Sequence, residues 1–280
     1  SFDRMVDLQM KYGSPKYDGA GNIAADEANV RYYLNPDNFP EGTPGYLQFL
    51  LLDKSANVTA KELNENYLKG KGMLANTGAA FIRAGELYGL NEFYLMAHAL
   101  HETGNGGSTL AMGVGVDRNG KIVRNSNGDI IRNKNHKDVY QVVYNFYGYG
   151  AHDNNPLEGG VNYAFERDWF SPETAVIGGA KNISNNYISQ GQNTLYKMKW
   201  DPDFVEERNE RGKQYATHIM WPILQADRMF NMLGEAIFTS RANFEVPHYK
   251  EQPKASSKPP APKPDLPPAE VENYYSSGTL

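Results

Sequence analysis

The sequence contains no cysteine among its 280 residues, which excludes disulfide bonds, cysteine nucleophiles and thiolate metal ligands. It also lacks any apolar run near the roughly 18–20 residues that a membrane-spanning helix requires. No block of like charge is present and the net charge is −5, so we expect no nucleic-acid partner. The chain starts at Ser1 without a recognisable signal peptide, as a processed chain or an expressed fragment would.

Aromatic residues, by contrast, are abundant, with 19 Tyr, 12 Phe and 3 Trp. Tyrosine suits sugar binding, because its ring stacks on C–H faces while its hydroxyl forms hydrogen bonds. The alternative is a tyrosine-rich core and surface without a ligand. Composition alone leaves both interpretations open.

Composition divides the chain into three regions. Residues 1–57 are rich in Gly, Pro, Asn and Asp and are predicted to form an N-terminal arm packed on the following body. Residues 58–250 carry helical patterns and are predicted to form that body. Residues 251–280 begin with a proline- and lysine-rich stretch that cannot build a core, so we predict a linker or tail.

Helix signals are strongest in the body. Thr59 and Glu62 have the spacing of a capping box, and two glycines end the helix that follows. Asn91 is a suitable N-cap for a helix that ends near Glu102. Apolar periodicity predicts further helices over residues 76–88, 172–188 and 214–233.

A short β excursion follows Glu102. Two Asn-Gly pairs, Asn119-Gly120 and Asn127-Gly128, lie between short β-branched runs. This pattern predicts tight primed turns in a meander at about residues 114–135. The sequence therefore predicts an α+β fold that is predominantly α-helical, with a small β-hairpin lobe.

Glu102 is the strongest candidate for chemistry. Helical spacing places it at a helix C-terminus, on the largely apolar face of Leu95, His98 and Ala99. Desolvation and the helix dipole both favour the neutral carboxylic acid there, which is the form that a general acid needs. The glycines beyond it let the backbone approach a ligand. The alternative is a solvated glutamate followed by a glycine helix stop.

Neither a metal nor a cofactor is expected. His101 and Glu102 begin like a zinc-protease motif, but the second histidine is missing because residue 105 is Asn. The other histidines show no ligand spacing. Asp117 opens a stretch that resembles part of a calcium loop, but the closing glutamate is absent and a hairpin turn explains the stretch better.

Several separated stretches, taken together, resemble one family. They are "ALHETGNGGSTLAMG", "YNFYGYGAHDNNPLEGGVNYA", "AVIGGAKNISNNYISQGQNTLYKMKWDP", "QYATHIMW" and "FEVPHYK". The resemblance covers roughly residues 1–250 and is to the glucosaminidases of glycoside hydrolase family 73, in particular the glucosaminidase domains of staphylococcal major autolysins. A lysin from a phage of Gram-positive bacteria could carry the same domain.

The resemblance implies a lysozyme-like fold for residues 58–250, with a helical body, the small β-lobe and a substrate groove. It implies hydrolysis of the β-1,4 bond between N-acetylglucosamine and N-acetylmuramic acid in peptidoglycan. Glu102 matches the family's general acid, and Tyr215 matches a tyrosine that lines the same active site. Tyr215 would hold the acetamido group of the substrate or stabilise positive charge during the reaction. The alternative is that Tyr215 is a helical tyrosine packed in the core.

Polar and aromatic residues in the matched stretches are candidates for substrate contacts. These are Asn105, Tyr144, Asn145, Phe146, Tyr147, Asn193, Tyr196 and Trp200. Core packing is the alternative for the aromatic members, and the sequence does not separate the two.

The identity of a second carboxylate is open. Many glycosidases pair two acids, yet residues 103–157 contain no glutamate. Asp117 and Asp129 are candidates in the β-lobe, followed by Asp138 and Asp153, although Asp is also common in turns. Alternatively, the substrate's own 2-acetamido group attacks the anomeric carbon, which predicts retention of configuration, whereas direct attack by water predicts inversion.

Two other functions are open from the sequence. A muramidase or lytic transglycosylase shares the fold and the helix-end glutamate but cuts on the other side of N-acetylmuramic acid. A non-catalytic cell-wall-binding module is the third alternative, and the joint presence of Glu102 and Tyr215 argues against it. We expect peptidoglycan glycan strands as the partner, at the wall of a Gram-positive bacterium or on a phage virion. We also expect a further wall-targeting module, reached through the C-terminal linker.

Overall fold

The computed structural model describes residues 1–151, 155–239 and 242–262, which divide into two compact units. Unit 1 takes its described residues from Ser1–Leu51, Gly191–Thr239 and Asn243–Leu280. Unit 2 takes its described residues from Leu52–Gln190 and Ser240–Ala242. This division by contacts is drawn differently from the arm, body and tail of the sequence analysis, whose boundaries stay a prediction.

Helices dominate both units. In chain order they are α1 (Phe2–Tyr12), α2 (Glu27–Leu34), α3 (Ala60–Leu63), α4 (Gly78–Tyr88), α5 (Glu92–Glu102), α6 (Pro156–Phe165), α7 (Pro172–Asn186), α8 (Leu195–Trp200), α9 (Pro202–Arg208), α10 (Trp221–Leu233) and α11 (Ala236–Thr239). Short 3-10 turns lie at Pro36–Asn38, Pro44–Phe49, Gly72–Leu74 and Ile188–Gln190. Within the described ranges, no helix is long and apolar enough to cross a membrane.

A cluster of buried aromatic and aliphatic side chains forms the core of unit 1. Its members are Phe2, Met5, Val6, Leu8, Tyr17, Ile23, Ala25, Val30, Tyr33, Leu34, Phe39, Phe49, Tyr196, Trp200, Val205 and Ile219. Asp26 is the N-cap of α2, and its side chain accepts a hydrogen bond from the Asn29 N–H. The N-terminal residues therefore share one core with α8 and α9, which come much later in the chain.

Unit 2 is built on α4, α5 and α7. The side chain of Asn91 accepts a hydrogen bond from the Tyr94 N–H at 3.2 Å, so α5 has the N-cap that the sequence predicts. α4 packs on both α5 and α7. The buried side chains of α5 include Phe93, Leu95 and Met96, which fix the helix and hence the position of its last residue.

A two-stranded antiparallel sheet follows α5. β1 (Val114–Val116) pairs with β2 (Gln141–Val143), with Gly115 opposite Val142. Two isolated bridges occur in the intervening chain, which otherwise forms turns. The prediction of a predominantly helical α+β fold is confirmed, but β2 lies beyond the predicted limit of the lobe at residue 135.

The two Asn-Gly turns differ from the primed turns that the sequence predicts. A type I′ turn needs positive φ at both central residues, yet within each pair only the glycine is left-handed, at 78° for Gly120 and 86° for Gly128. The Gly120 N–H donates to the Asp117 carbonyl at 3.1 Å, and the Gly128 N–H to the Asn125 carbonyl at 3.0 Å. Each loop therefore has the hydrogen bonding of an ordinary turn closed by a left-handed glycine.

Two helix predictions also need correction. The capping box at Thr59 is present, but α3 is a single turn that continues as a π-helical turn at Asn64–Leu68. α10 begins at Trp221 rather than at residue 214. Pro222 lies in its first turn, where the missing N–H is harmless, and its ring disfavours a helical residue four positions earlier.

Candidate active site

Glu102 is the last residue of α5, and its side chain is 41 % exposed. The sequence predicts partial desolvation on an apolar face, so the carboxyl group is more open to solvent than expected. Helical spacing brings it to His98, with Oε1 3.9 Å from Nε2 of the ring. An exposed carboxyl group on a rigid helix end is accessible to a ligand, which a general acid requires.

The loop after Glu102 is held by Thr103 and by left-handed residues. Thr103 Oγ1 donates to a carbonyl in the last turn of α5 at 2.7 Å and accepts from the Gly106 N–H at 2.8 Å. Gly104, Asn105 and Gly106 all have positive φ, at 54°, 62° and 84°. Glycine at two of these positions avoids the Cβ strain of this conformation, so the helix can stop just after the acid.

A cavity of about 390 Å³ opens beside Glu102 within unit 2. Its lining consists of Glu102, Ser108, Thr109, Leu110, Asn145, Gly148, Ala151, Pro156 and Leu157. Gly148 is left-handed, and a Cβ at this position would lie 3.7 Å from Oε2 of Glu102. The cavity therefore has the size of a small-ligand site and presents one acid among small and apolar groups.

His98 lies one turn before Glu102 and is mostly buried, with 23 % of its side chain exposed. Burial, and then the charge of His101, lower the pKa of His98 to about 4. Its ring lies 5.9 Å from that of Tyr94 and 5.7 Å from that of Tyr147. His98 is therefore neutral at neutral pH, and its contact with Glu102 is not an ion pair there.

Asn145 is buried behind the cavity wall and ties the chain on either side of it together. Its Nδ2 donates to the Tyr149 carbonyl at 2.7 Å and to the Gly160 carbonyl at 3.2 Å. Its Oδ1 accepts from the Tyr147 N–H at 3.3 Å. These bonds fix the loop that holds Gly148 against Glu102, so the geometry gives Asn145 a positioning role.

The aromatic neighbours of Asn145 are less available than the sequence predicts. Phe146 is fully buried and Tyr147 nearly so. A Cβ at Gly179 would lie 2.0 Å from Cδ2 of Tyr147, so that ring fills the space above α7. Tyr144 is half-buried and stacks on Phe146, with centroids 6.3 Å apart. We assign Phe146 and Tyr147 to packing rather than to substrate contact, because a ring without exposed surface cannot meet a sugar.

Asn105 is exposed and contacts an amine. Its Oδ1 accepts a hydrogen bond from Nζ of Lys71 at 2.8 Å. The two loops also meet through their backbones, since a Cβ at Gly106 would lie 2.2 Å from the Lys71 carbonyl oxygen. Only a glycine allows this approach, which places a positive charge next to the loop that follows Glu102.

The predicted site residues of unit 1 fall into two groups. Tyr196 and Trp200 are fully buried in the core cluster, and the Tyr196 hydroxyl donates to the Leu34 carbonyl at 2.7 Å. These two side chains therefore pack in the core of unit 1, and the expectation that they contact substrate stays a prediction that their burial does not support. Asn193 is half-buried and accepts from Nζ of Lys197 at 3.3 Å.

Tyr215 is 47 % exposed and precedes α10. Its ring stacks on that of Trp221, with centroids 4.4 Å apart and planes inclined by 22°. Its backbone N–H donates to the Met198 carbonyl at 2.9 Å. Tyr215 is therefore neither helical nor in the core, and its predicted catalytic role stays a prediction.

The candidate second acids of the β-lobe take part in turns. Oδ1 of Asp117 accepts from two backbone N–H groups of its own turn, at 2.8 and 3.0 Å. Oδ2 of Asp129 accepts from Nδ2 of Asn125 at 3.0 Å. Asp138 lies 3.8 Å from a histidine of the same loop, and Asp153 lies outside the described residues. Turn formation accounts for the first two, and a second acid stays a prediction.

Metal binding finds no support in the part of the chain that the structure describes. Within it, no group of three or more His, Asp or Glu side chains is placed to hold a metal ion.

Comparison with known proteins places these observations in a family. The chain is 39 % identical over 239 residues to a β-N-acetylglucosaminidase of Bacillus subtilis, a match that covers 83 % of this chain and 23 % of the relative. The chain thus spans about a quarter of that curated protein. No family model matches the sequence.

Solved structures agree over nearly their whole length. The crystal structure of a major bifunctional autolysin is 32 % identical with a TM-score of 0.70, covering 89 % of this chain and 95 % of that one. The chain belongs to the autolysin glucosaminidase family. A catalytic mutant of Staphylococcus aureus autolysin E in complex with the disaccharide NAG-NAM is 30 % identical, with a TM-score of 0.57 and coverage of 89 % and 97 %. The resemblance inferred from the separated motifs is confirmed.

Sequence reasoning described the surroundings of the acid of this glucosaminidase-family chain only in part. It placed His98 on the same helix face as Glu102, four residues earlier, but gave it no role there. Gly148 and Pro156 were missed and have no local signal, because their nearness to Glu102 depends on how the loop after β2 folds back. Asn145 was named, but for contact with substrate rather than for holding this loop.

Proposed function

We propose that the chain is a peptidoglycan hydrolase that cleaves the β-1,4 bond between N-acetylglucosamine and N-acetylmuramic acid. The observation that carries the proposal is the exposed carboxyl group of Glu102 on the wall of a 390 Å³ cavity. The name of the Bacillus relative and the disaccharide bound to autolysin E support the choice of substrate. Glucosaminidase activity would explain why an acid ends this helix. It would also explain the glycines that follow the acid, because they let a sugar approach the backbone.

Glu102 acts as the general acid and then as the general base. Its protonated carboxyl group gives a proton to the oxygen of the leaving sugar, and the carboxylate then takes a proton from water. Neutral His98 adds no positive charge beside this group above its pKa of about 4.

The nucleophile in this scheme is the 2-acetamido group of the substrate. The carboxylates of Asp117 and Asp129 already accept hydrogen bonds within their turns, which supports a route without a second protein acid. Attack by the acetamido oxygen on the anomeric carbon followed by attack of water gives retention of configuration. Inverted product would instead indicate one-step attack by water.

Tyr215 and Asn105 are proposed to support the reaction. Both have exposed side chains, unlike Phe146, Tyr196 and Trp200. A tyrosine hydroxyl can hold an acetamido group, and an asparagine beside an amine can bind a sugar hydroxyl or a carboxylate. We further propose that the protein acts at the cell wall of a Gram-positive bacterium, as an autolysin or as part of a phage virion.

The decisive experiment is digestion of purified peptidoglycan by the wild type, Glu102→Gln and Glu86→Gln. Products are reduced with borohydride and identified by mass spectrometry. We expect reduced N-acetylglucosamine ends from the wild type and from Glu86→Gln, an exposed glutamate on α4 that serves as the matched control. Loss of the general acid should lower the rate by roughly 10²- to 10⁴-fold.

Each other outcome contradicts a defined part of the proposal. Reduced or anhydro-muramic ends would indicate a muramidase or lytic transglycosylase. Wall binding without products from any variant would indicate a non-catalytic module. Equal activity of Glu102→Gln and wild type would exclude Glu102 as the acid.

A further inference from the structure

Residues 253–262, here called the strap, are the proline-rich stretch that the sequence analysis assigns to a linker. In the structure this stretch lies against α2 and the 3-10 turn Pro36–Asn38 of unit 1. We propose that this surface is a recognition site for proline-rich chain, and that the strap occupies it as an integral part of unit 1. The inference is independent of the proposed glucosaminidase activity.

Three asparagine side chains hold the strap through its backbone. Nδ2 of Asn35 donates to the Pro253 carbonyl at 3.0 Å, and Nδ2 of Asn29 donates to the Pro260 carbonyl at 3.1 Å. Oδ1 of Asn38 accepts from the Ser256 N–H at 2.7 Å. These contacts are distributed from one end of the strap to the other.

The chemistry of these contacts suits proline. Proline supplies a carbonyl acceptor but no N–H, so a surface that binds proline-rich chain must offer mainly donors. Asn29 and Asn35 do this from buried positions, with 0 % and 2 % of each residue exposed. These exposures apply with the strap in place, and Nδ2 of Asn29 also donates to Oδ1 of Asp26 at 2.9 Å. The strap therefore supplies acceptors for amide donors that it helps to cover.

Aromatic contacts accompany the hydrogen bonds. Nζ of Lys258 lies 5.8 Å from the centroid of the Tyr33 ring, within the range of a cation–π contact. Ala261 packs against the core cluster of unit 1, which includes Tyr33 and Phe39. Stacking on aromatic rings together with donors to carbonyls is how grooves for proline-rich peptides work in general.

The turn before the strap directs the chain toward this surface. Nε2 of Gln252 donates to Oδ1 of Asp37 at 2.7 Å, while its backbone N–H donates to the Tyr249 carbonyl at 3.2 Å. The hydroxyl groups of Tyr249 and Tyr196 lie 2.7 Å apart, which anchors the turn to the core of unit 1. The first residue of the strap is therefore held in place by the contacts of Tyr249 and Gln252 within unit 1.

Binding of the strap depends on its hydrogen bonds more than on close packing. A cavity of about 310 Å³ remains beneath it, lined by Phe2, Ala28, Arg31, Tyr32, Asn35, Pro253, Lys254, Ser256, Ser257 and Pro259. Most side chains of the strap, including Lys254 and Ser256, are exposed. Removing a single asparagine donor should consequently have a measurable effect.

The consequence is a change in where the chain leaves unit 1. A free proline-rich segment of this length would span roughly 30 Å, at about 3.1 Å per residue. Docking removes that reach and fixes the last residues of the strap in unit 1, where Pro260 accepts from Asn29 and Ala261 packs on the core cluster.

Trypsin cleavage after Lys254 tests the proposal in the full chain. The bond to Ala255 is a suitable probe, because trypsin does not cut before proline and so spares the bond after Lys258. We expect this bond to be cut at least tenfold more slowly in the folded protein than in a synthetic peptide of residues 249–262. A protease must bind the residues around the cleaved bond in its own active site, so the docked strap has to detach before it is cut.

Asn35→Asp is the informative variant. It keeps the Oδ1 that accepts from the Asp37 N–H at 3.1 Å, but replaces the donor to the Pro253 carbonyl by a repelling oxygen. We expect cleavage after Lys254 to accelerate about fivefold or more, as for the loss of a hydrogen bond. Asn22→Asp is the matched control, since Asn22 is exposed and its backbone N–H donates to Oδ2 of Asp18 at 3.1 Å, in the loop that precedes α2.

Hydrogen exchange of the Ser256 amide in the wild type gives a second measurement, and its result does not depend on whether a variant folds correctly. We expect protection of this amide relative to the peptide. Cleavage and exchange as fast in the protein as in the peptide would overturn the proposal. Equal acceleration in Asn35→Asp and Asn22→Asp would also overturn it, because the effect would then not come from the Asn35 donor.

Discussion

The C-terminal halves of α5 and α8 share one property but differ in what their last residue exposes. Each carries a basic side chain that burial favours in its neutral form. The pKa of His98 in α5 is lowered to about 4, and that of Lys199 in α8 to about 7. The last residue of α5 is the exposed Glu102, whereas the last residue of α8 is the fully buried Trp200.

The difference comes from the chain that follows each helix. After Glu102 the backbone passes through left-handed glycines into a loop, so little covers the acid. After Trp200 a single left-handed residue, Asp201, leads directly into α9, and α1 supplies further side chains to the same core. The chain that follows a helix therefore decides whether the last residue of the helix is exposed or buried. The residue types at the helix end do not decide this alone.

The largest expected effect concerns Lys199. Its pKa falls from 10.5 to about 7, because of burial first and then the nearby Arg211, so between these values the unfolded chain binds more protons. The free energy of unfolding should therefore rise with pH across this window, by at most about 5 kcal/mol. Urea denaturation from pH 7 to 10 should show this rise in the wild type and a flatter profile in Lys199→Met. Identical slopes would mean that Lys199 is not buried as described.

Trp200→Ala tests the buried side of the comparison directly. Removing a fully buried indole from the core should lower the free energy of unfolding by about 3–5 kcal/mol. Phe204→Ala, on the adjoining α9 and 40 % exposed, should cost much less and serves as the control. If Trp200→Ala unfolded at the wild-type urea concentration but lost affinity for glycan, Trp200 would line a binding surface after all.

His98 provides the matching test on α5. Its pKa is lowered from 6.5 to about 4, mainly by burial, so the unfolded chain binds more protons within this window. The free energy of unfolding should fall by at most about 3 kcal/mol as the pH drops from 6.5 to 4. His98→Gln should reduce this loss, while His136→Gln, in the hairpin loop, should not. Parallel profiles for all three proteins would contradict a neutral His98.

Local signals in the sequence were sufficient for two helix starts and for the place of Glu102 at a helix end. The capping box at Thr59 and the N-cap at Asn91 depend on residues within four positions, so their geometry is readable without the fold. The position of Glu102 follows from the same helix. The motif resemblance added the family, which periodicity alone does not give.

Signals that depend on distant contacts were not readable. α8 has six residues and most of them are buried, so it has no polar face to distinguish a sugar-binding ring from a core ring. β2 was missed because its pairing partner lies about 25 residues earlier, across two turns. The strap was predicted as a linker because composition does not reveal that Asn29 and Asn35 donate hydrogen bonds to its backbone and that Asn38 accepts one from it.

The smallest expected change in stability is at Tyr215, and it sharpens the comparison because Tyr215 is exposed like Glu102. Tyr215→Phe keeps the ring that stacks on Trp221 at 4.4 Å, so the free energy of unfolding should change by less than about 1 kcal/mol. If the hydroxyl holds the substrate's acetamido group, kcat on peptidoglycan fragments should nevertheless fall about tenfold, as for a lost hydrogen bond in the transition state. Tyr140→Phe, an exposed tyrosine next to β2, is the control and should leave kcat unchanged. Wild-type kcat in Tyr215→Phe would remove Tyr215 from the proposed site and leave Glu102 as its acid.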